Sequence, residues 1–221
     1  MLVHDYMTHD PVTIRSEARL PEALNLMRAR AVHRLPVVDD GVLVGIVSEK
    51  DLLYALPSAD KPVSWVEASA QAATLSVREI MRHDVVTVDP DCPIEVAAAT
   101  MADHKIGALP VVHPSNSHVL VGIITETDIF KLFVEMLSSR SPSVRASLEI
   151  DNRKGALASL FNRIVEAGGG VTTVSSFPAS SPHRLRIILK VADVDQTAMR
   201  SLLKPEETII DLREIQPSHQ G

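Results

Sequence analysis

The chain has 221 residues, 45% of them hydrophobic and 23% charged, which is the composition of an ordinary soluble protein with one large or two small cores. Its 28 acidic residues outnumber its 22 basic ones, and the net charge of −6 weighs against nucleic acid or an anionic membrane as a partner, because both demand clustered Lys and Arg. The single cysteine, Cys92, excludes a disulfide framework and a cysteine zinc site, and no apolar run approaches the ~20 residues that span a bilayer. Residues 1–11 lack the charged-then-apolar layout of a secretion signal, so a cytoplasmic protein is expected.

The predicted elements come in two copies. In the first, residues 12–14 (VTI) read as a short β segment. A helix follows, with Leu20, Ala23, Leu24 and Met27 at helical spacing. Two apolar strands, 35–38 and 42–47, lead to a second helix beginning near Glu49. Residues 57–76 are rich in Pro, Ser and Ala without a clear period and read as a linker, with Trp65, the one Trp, as its anchor on a domain surface. The unit then returns. Val77 and Met81 align with Val3 and Met7, and 86–88 is the β segment. Ile94, Ala97, Ala98 and Met101 mark the helix, 109–112 and 119–124 the strands, and Glu126 the second helix. The offset is 74 residues up to the shared Leu-Pro-Val-Val and 77 beyond the longer loop at 113–118. Each β-α-β-β-α unit, assigned to 1–56 and 77–137, is too small to bury a core alone, and two packed sheet to sheet solve that.

The character changes after residue 137. Residues 138–144 read as a Ser/Pro linker, 146–150 as a strand, and 155–168 as an amphipathic helix with Leu157, Leu160, Phe161, Ile164 and Val165 on one face. A strand at 171–175, a turn at 177–183, a strand at 185–191, a helix at 196–203 and a strand at 208–215 complete a βαββαβ, ferredoxin-like order over 145–216. The fold class is α+β.

Both copies end in Gly-h-h-Ser/Thr-x-x-Asp (h, hydrophobic): Gly45, Ser48 and Asp51, then Gly122, Thr125 and Asp128. Ser/Thr-x-x-Asp is the pattern of a capping box, so these residues can be explained as two well-capped helices. A helix N-terminus also favours anions, a carboxylate there can accept both hydroxyls of a ribose, and a hydroxyl can donate to a phosphate. The glycines leave room for something to approach the strand backbone. The residues alone support either reading.

Taken together, the paired Met7 and Met81, the repeated Leu-Pro-Val-Val and the two Gly-h-h-Ser/Thr-x-x-Asp endings resemble a tandem pair of CBS domains (a Bateman module). The resemblance implies two clefts about a pseudo-twofold axis, taking AMP, ADP, ATP or S-adenosylmethionine as regulatory ligand. It implies that Asp51 and Asp128 hold ribose, and Ser48 and Thr125 phosphate. Thr13, Ile14, Thr87 and Val88 would line the adenine side, beside Leu35, Pro36, Ala108, Leu109 and Pro110 at the strand starts. The copies differ where His33-Arg34 faces Gly107-Ala108 and where Lys50 faces Thr127. His33-Arg34 resembles a phosphate-contacting pair, and both cationic positions belong to repeat one, so one cleft is expected to dominate.

The C-terminal layout, with Glu149-Ile150-Asp151-Asn152-Arg153-Lys154-Gly155, resembles an ACT domain, although Lys154 stands where that family usually has Pro. The resemblance implies sheet pairing into a homodimer and a small amino acid held by Asp151, Asn152 and Gly155. A CBS pair followed by an ACT domain is similar to accessory proteins of acetoin utilisation, which implies a regulatory protein with an unknown protein target. The alternative is an amino-acid sensor or dimerisation scaffold whose CBS pair is empty.

An enzyme is not expected. The nine His form no His-x-x-x-His, and there is neither a Walker A motif nor Gly-x-Gly-x-x-Gly. Cys92, ahead of Pro93 at a helix start, is placed to have a lowered pKa but lacks a patterned base. His4-Asp5 and His9-Asp10 could bind a metal, yet such polar residues usually face water.

Overall fold

The structure is a computed structural model and describes residues 1–55, 73–137 and 142–216. The expected linker between the repeats, including Trp65, lies outside the described residues up to position 72. The chain divides into two compact units, Met1–Leu132 and Phe133–Gly221.

The first unit contains both repeats. In repeat one, helix α1 (Leu20–Arg30) starts with Pro21 in its first turn and buries Leu20, Ala23 and Met27. Strands β2 (Arg34–Asp39) and β3 (Val42–Ser48) pair antiparallel and lead into α2 (Glu49–Tyr54). In repeat two, the one-turn α3 (Val77–Ile80) precedes α4 (Ile94–His104), which buries Ile94, Ala97 and Met101. Strands β4 (Ala108–His113) and β5 (Asn116–Thr125) then lead into α5 (Glu126–Leu137). The segments 12–14 and 86–88 do not form the expected strands. Each makes a single parallel bridge, Ile14 to Val37 and Val88 to Val111. Ile14 donates its N–H to the Pro36 carbonyl and its own carbonyl accepts from Val38, and Val88 repeats this with Pro110 and Val112. The neighbouring residues turn away into the helices, so the ladder stops after one rung.

The repeats exchange their leading segments. Val3 is fully buried among Ile94, Ala97, Met101, Leu109, Val111 and Ile124 of repeat two. Val77 is fully buried among Leu20, Ala23, Met27, Leu35, Val37 and Val47 of repeat one. Burying a Val stabilises by about 1.5–3 kcal/mol, so each repeat relies on the other for a piece of its core. The backbone follows the same exchange: strand β1 (Thr8–His9) pairs with β5, and Arg82 bridges to Ile46 of β3. Val3 N–H donates to the Cys92 carbonyl, and Val77 N–H to that of Ala18, the residue that matches Cys92 in the other copy. Leu75 and Ser76, expected at the end of a linker, already belong to the fold: the Leu75 carbonyl accepts from Leu20, and Ser76 bridges to Arg19.

This exchange explains Gly45 and Gly122. A Cβ at Gly45 would stand 2.5 Å from Met81 Sδ and 3.0 Å from the Arg82 carbonyl. A Cβ at Gly122 would stand 2.5 Å from Met7 Sδ and 3.1 Å from the Thr8 carbonyl. What approaches each strand is the methionine of the other repeat.

The second unit is a four-stranded antiparallel sheet in the order β7-β8-β6-β9, formed by β6 (Ser143–Asp151), β7 (Gly170–Pro178), β8 (Arg184–Ala192) and β9 (Thr208–Ile215). Helices α6 (Ala156–Glu166) and α7 (Gln196–Ser201) follow β6 and β8, giving the ferredoxin-like βαββαβ order. Alternate residues Val144, Ala146, Leu148 and Ile150 of β6 meet Ile187, Leu189 and Val191 of β8 beneath Leu160 and Ile164 of α6. Two expectations shift. Ser143 and Val144 belong to β6, not to the linker, because Val144 reaches the core; and Phe177 and Pro178 extend β7 instead of starting the turn. Arg163 Nη2 donates to both Glu207 oxygens at 2.6 and 2.7 Å, while its Nε donates to the Leu202 carbonyl, fastening α6 to the approach to β9.

Gly45→Ala should destabilise the first unit by about 1–3 kcal/mol, because the added methyl collides with Met81. In a double-mutant cycle followed by thermal unfolding, Gly45→Ala with Met81→Ala should cost less than the sum of the two single changes. Strict additivity would mean that the methionine is not what the glycine accommodates.

Candidate functional site

The two Ser/Thr-x-x-Asp motifs fold as capping boxes. Ser48 N–H and Oγ donate to Asp51 Oδ2 at 3.0 and 2.5 Å, and Asp51 N–H donates back to Ser48 Oγ at 3.2 Å. Thr125 N–H and Oγ1 donate to Asp128 Oδ2 at 2.9 and 2.7 Å, and Asp128 N–H returns a longer bond of 3.4 Å. Asp51 is left with Oδ1, which lies 3.8 Å from Arg82 Nη2. Capping therefore uses one carboxylate oxygen and leaves the other for a second task. Helix α2 has only six residues, so its dipole contributes little and any bound anion must be balanced by side chains.

A cleft of about 710 Å³ opens within the first unit, and both repeats line it. Repeat one supplies Arg34, Ile46, Ser48, Lys50, Asp51 and Tyr54. Repeat two supplies residues 82 and 84–86 and residues 104–108, with Pro110. Ile46, Val85, Val86, Ile106 and Pro110 form apolar wall, while Arg34, Lys50, Arg82 and Lys105 bring positive charge against Asp51 and Asp84. Arg34 Nη1 donates to the Gly107 carbonyl at 3.0 Å. A Cβ at position 107 would lie 2.5 Å from Arg34 Nη2 and 2.5 Å from Glu126 Oε2. The missing side chain at Gly107 is thus what allows Arg34 to cross from its own repeat into this cleft.

Six of the residues singled out from the sequence come together here: Arg34, Ser48, Lys50, Asp51, Ala108 and Pro110. The others lie elsewhere. Leu35 and Leu109 are wholly buried in the two cores, and Pro36 and Ile14 are buried beside them. Thr13 is exposed, and Thr87 and Val88 are half-buried next to the cleft residue Val86. His33 points outward, and its Nδ1 lies 2.8 Å from Glu49 Oε2. Thr125, Thr127 and Asp128 occupy the pseudo-symmetric counterpart of the Ser48–Asp51 corner and do not line this cleft.

Sequence reasoning missed Arg82 and Lys105. Arg82 follows Met81, so the exchanged segment that places the methionine over Gly45 also delivers the arginine to the cleft. Lys105 is the left-handed residue that ends α4, with φ 54°, matching Ala31 at the end of α1 with φ 51°. Aligning the repeats position by position, Lys105 against Ala31 and Arg82 against Thr8, is the signal that could have found them.

The remaining candidates are placed as follows. Burial pushes the Cys92 thiol up, and Asp89 and Glu95 push it further, so the expected lowering at the helix start is reversed. His4 lies 3.1 Å from Asp5 and 3.3 Å from Asp91, and among the described residues no three His, Cys, Asp or Glu side chains are grouped to hold a metal. Asp151 accepts from Arg184 Nη1 at 2.8 Å, Asn152 Nδ2 donates to the Pro182 carbonyl at 3.1 Å, and Gly155 takes φ 81° at the start of α6. The depression beside Asp151 measures about 10 Å³, far too small for an amino acid within one chain. Among the described residues no helix is long and apolar enough to cross a membrane.

Comparison with known proteins accounts for the doubled architecture. The sequence matches the CBS domain family over residues 3–58 and again over 77–135. It is 32% identical over 143 residues to a CBS domain-containing protein of Dictyostelium discoideum, covering 64% of this chain and 97% of that one. Other relatives are longer: the chain spans 47% of the uncharacterised protein MJ1225 of Methanocaldococcus jannaschii, at 34% identity over 60% of this chain. Among solved structures, a proposed acetoin utilisation protein (AcuB) of Vibrio cholerae is similar at 37% identity and a TM-score of 0.51, over 62% of this chain and 93% of that one. The CBS pair of protein MJ0100, solved with 5-methylthioadenosine and S-adenosyl-L-methionine, is 31% identical with a TM-score of 0.50, over 61% and 97%. CBSX2, solved with AMP, is 28% identical with a TM-score of 0.50, over 61% and 96%. With two matched copies covering half of its length, the chain belongs to the CBS-domain family.

Proposed function

We propose that the chain is a regulatory sensor that binds an adenosine ligand in the cleft headed by Asp51. One observation carries this reading: a cleft of about 710 Å³ joins the apolar residues Ile46, Val85, Val86 and Ile106 to a carboxylate with an oxygen to spare and to a set of cations. These are the groups that adenine, ribose and phosphate each require. The adenosine ligands of the MJ0100 and CBSX2 structures support it. Asp51 Oδ1 takes the ribose hydroxyls, Ser48 and Lys50 face the phosphate end, and Ala108 and Pro110 border the base. Thr87 and Val88 stand behind the base side. Thr125, Thr127 and Asp128, with Thr13 and Ile14, make the weaker second corner. The protein acts on a partner protein and performs no chemistry itself.

The C-terminal unit is proposed to be an ACT domain whose role is pairing. Val174 and Phe177 are exposed on β7 and Ile210 on β9, the two edges of the sheet, and an edge strand bearing exposed apolar side chains favours pairing with a second copy. In such a homodimer Asp151, Asn152 and Gly155 would lie near the joint and there hold a small amino acid. The likeness to the Vibrio cholerae protein supports a place in acetoin utilisation.

Calorimetric titration tests the site. Asp51→Ala should weaken adenosine-ligand binding by about 1.5–3 kcal/mol, whereas Asp128→Ala should cost chiefly helix-cap stability, about 1 kcal/mol. Equal affinities in both folded variants and wild type would reduce Asp51 to a helix cap. Light scattering at micromolar concentration should return twice the chain mass, and Phe177→Glu should lower it; a wild-type monomer would contradict the pairing.

A further inference from the structure

We infer that helix α5 couples the two units, held at one end by the cleft wall through the Gly107 carbonyl and at the other by the sheet through Lys190, so that occupancy of the cleft is read in the second unit. The inference rests on the adenosine reading for what fills the cleft and adds how its presence is passed on.

Helix α5 begins in the first unit, and its residues from Phe133 onward belong to the second. Its first residue, Glu126, donates its N–H to the Gly107 carbonyl at 3.2 Å. Gly107 lines the cleft, and the same carbonyl accepts from Arg34. Thr125 and Asp128 cap this end, and Leu132 is buried in the core of repeat two. The 12 residues make about 18 Å of helix, stiff along its axis.

At the other end the last helical carbonyl, that of Leu137, accepts from Lys190 Nζ. Leu189 and Val191 point into the core with Leu160 and Ile164, so Lys190 between them points to the opposite face of the sheet. Neither α6 nor α7 covers that face, yet Ser143, Ser147 and Lys190 are buried there. Among the described residues no carboxylate pairs with Lys190: Asp211 is held by Arg145 and Arg213, and Glu149 by Arg186. Burial, and then Arg145, push the Lys190 amine down from its ordinary value, so its charge is held at a cost. The C-terminal end of a helix carries partial negative charge and unpaired carbonyls, which offset that cost.

The contact is therefore made or broken, with little between. Withdrawing the Leu137 carbonyl leaves a buried donor without its acceptor. A ligand seated against residues 104–108 bears on the carbonyl that holds Glu126, and a stiff helix displaced there moves its far end too. The two ends share one equilibrium, which either can bias.

Hydrogen exchange on the full chain tests this, with and without AMP, ATP or S-adenosylmethionine, in wild type, Lys190→Met and Lys190→Arg. In wild type, a ligand that protects the cleft residues 104–108 should also change exchange in β6 and β8 by at least about threefold. Lys190→Met keeps the buried stem without the donor; it should show the cleft protection and lose the distant change. Lys190→Arg keeps a donor and should retain both. Without ligand, Lys190→Met should speed exchange of the Glu126 amide, at the far end of α5, by about threefold. Should Lys190→Met not fold, Lys190→Gln takes its place. A bound ligand whose effect stops within the first unit, or a Lys190→Met effect that never reaches Glu126, would overturn the coupling and leave the adenosine reading standing. Transmission in Lys190→Met as strong as in wild type would overturn the role of Lys190. Protection by none of the three ligands, with Lys190→Met still reaching Glu126, would overturn the adenosine reading while the coupling stood.

Discussion

The exchange of leading segments between the repeats is the constraint on which the first unit depends. Val3 fills a place in the core of repeat two and Val77 fills the matching place in repeat one. Met7 and Met81 then lie over Gly122 and Gly45, so that each strand is covered by the other repeat. Neither repeat has a complete core without the other, and neither can drift relative to its partner without opening both cores. The same exchange produces the cleft: the chain that leaves Met81 runs along β3 through the Arg82–Ile46 bridge and continues into Asp84, Val85 and Val86, which line it. Fold stability and site geometry therefore share one set of contacts.

Two copies of one sequence pattern do not make two equal sites, because a few side chains break the symmetry. Gly107 lacks a side chain, so Arg34 can reach past it to the Gly107 carbonyl. The counterpart of Gly107 is His33, which lies outward against Glu49. Lys50 and Arg82 are matched by Thr127 and Thr8, and Lys105 by Ala31, so these three cations have uncharged counterparts in the other copy. Small changes in side-chain length and charge thus decide where an anion is welcome, while the backbone keeps its pseudo-twofold.

Much of this was legible in the residues themselves. Periodic Leu20, Ala23 and Met27, with their partners Ile94, Ala97 and Met101, marked the core faces because a helix buries every third or fourth residue. Ser48-x-x-Asp51 and Thr125-x-x-Asp128 marked the helix starts because the capping box is local chemistry. Arg34 and Lys50 could be singled out because they differ between copies. The exchange was not legible: it is a long-range event, and the alignment that placed Val3 beside Val77 gave no sign that each would enter the other repeat's core. Arg82 and Lys105 were missed for that reason, since neither belongs to a motif and both reach the cleft through tertiary placement. The same limit applied at residues 12–14 and 86–88, where apolar triplets suited to strands make one bridge each because the following helix turns the chain away.

A crystal structure of the full chain with ADP bound tests the central claim most directly. The account predicts ribose hydroxyls within hydrogen-bond distance of Asp51 Oδ1, adenine against the apolar wall that includes Ile46 and Val86, and both phosphates among Arg34, Lys50, Arg82 and Lys105. ADP bound with its phosphates turned toward solvent, or seated at the Thr125–Asp128 corner with the Asp51 cleft empty, would contradict it.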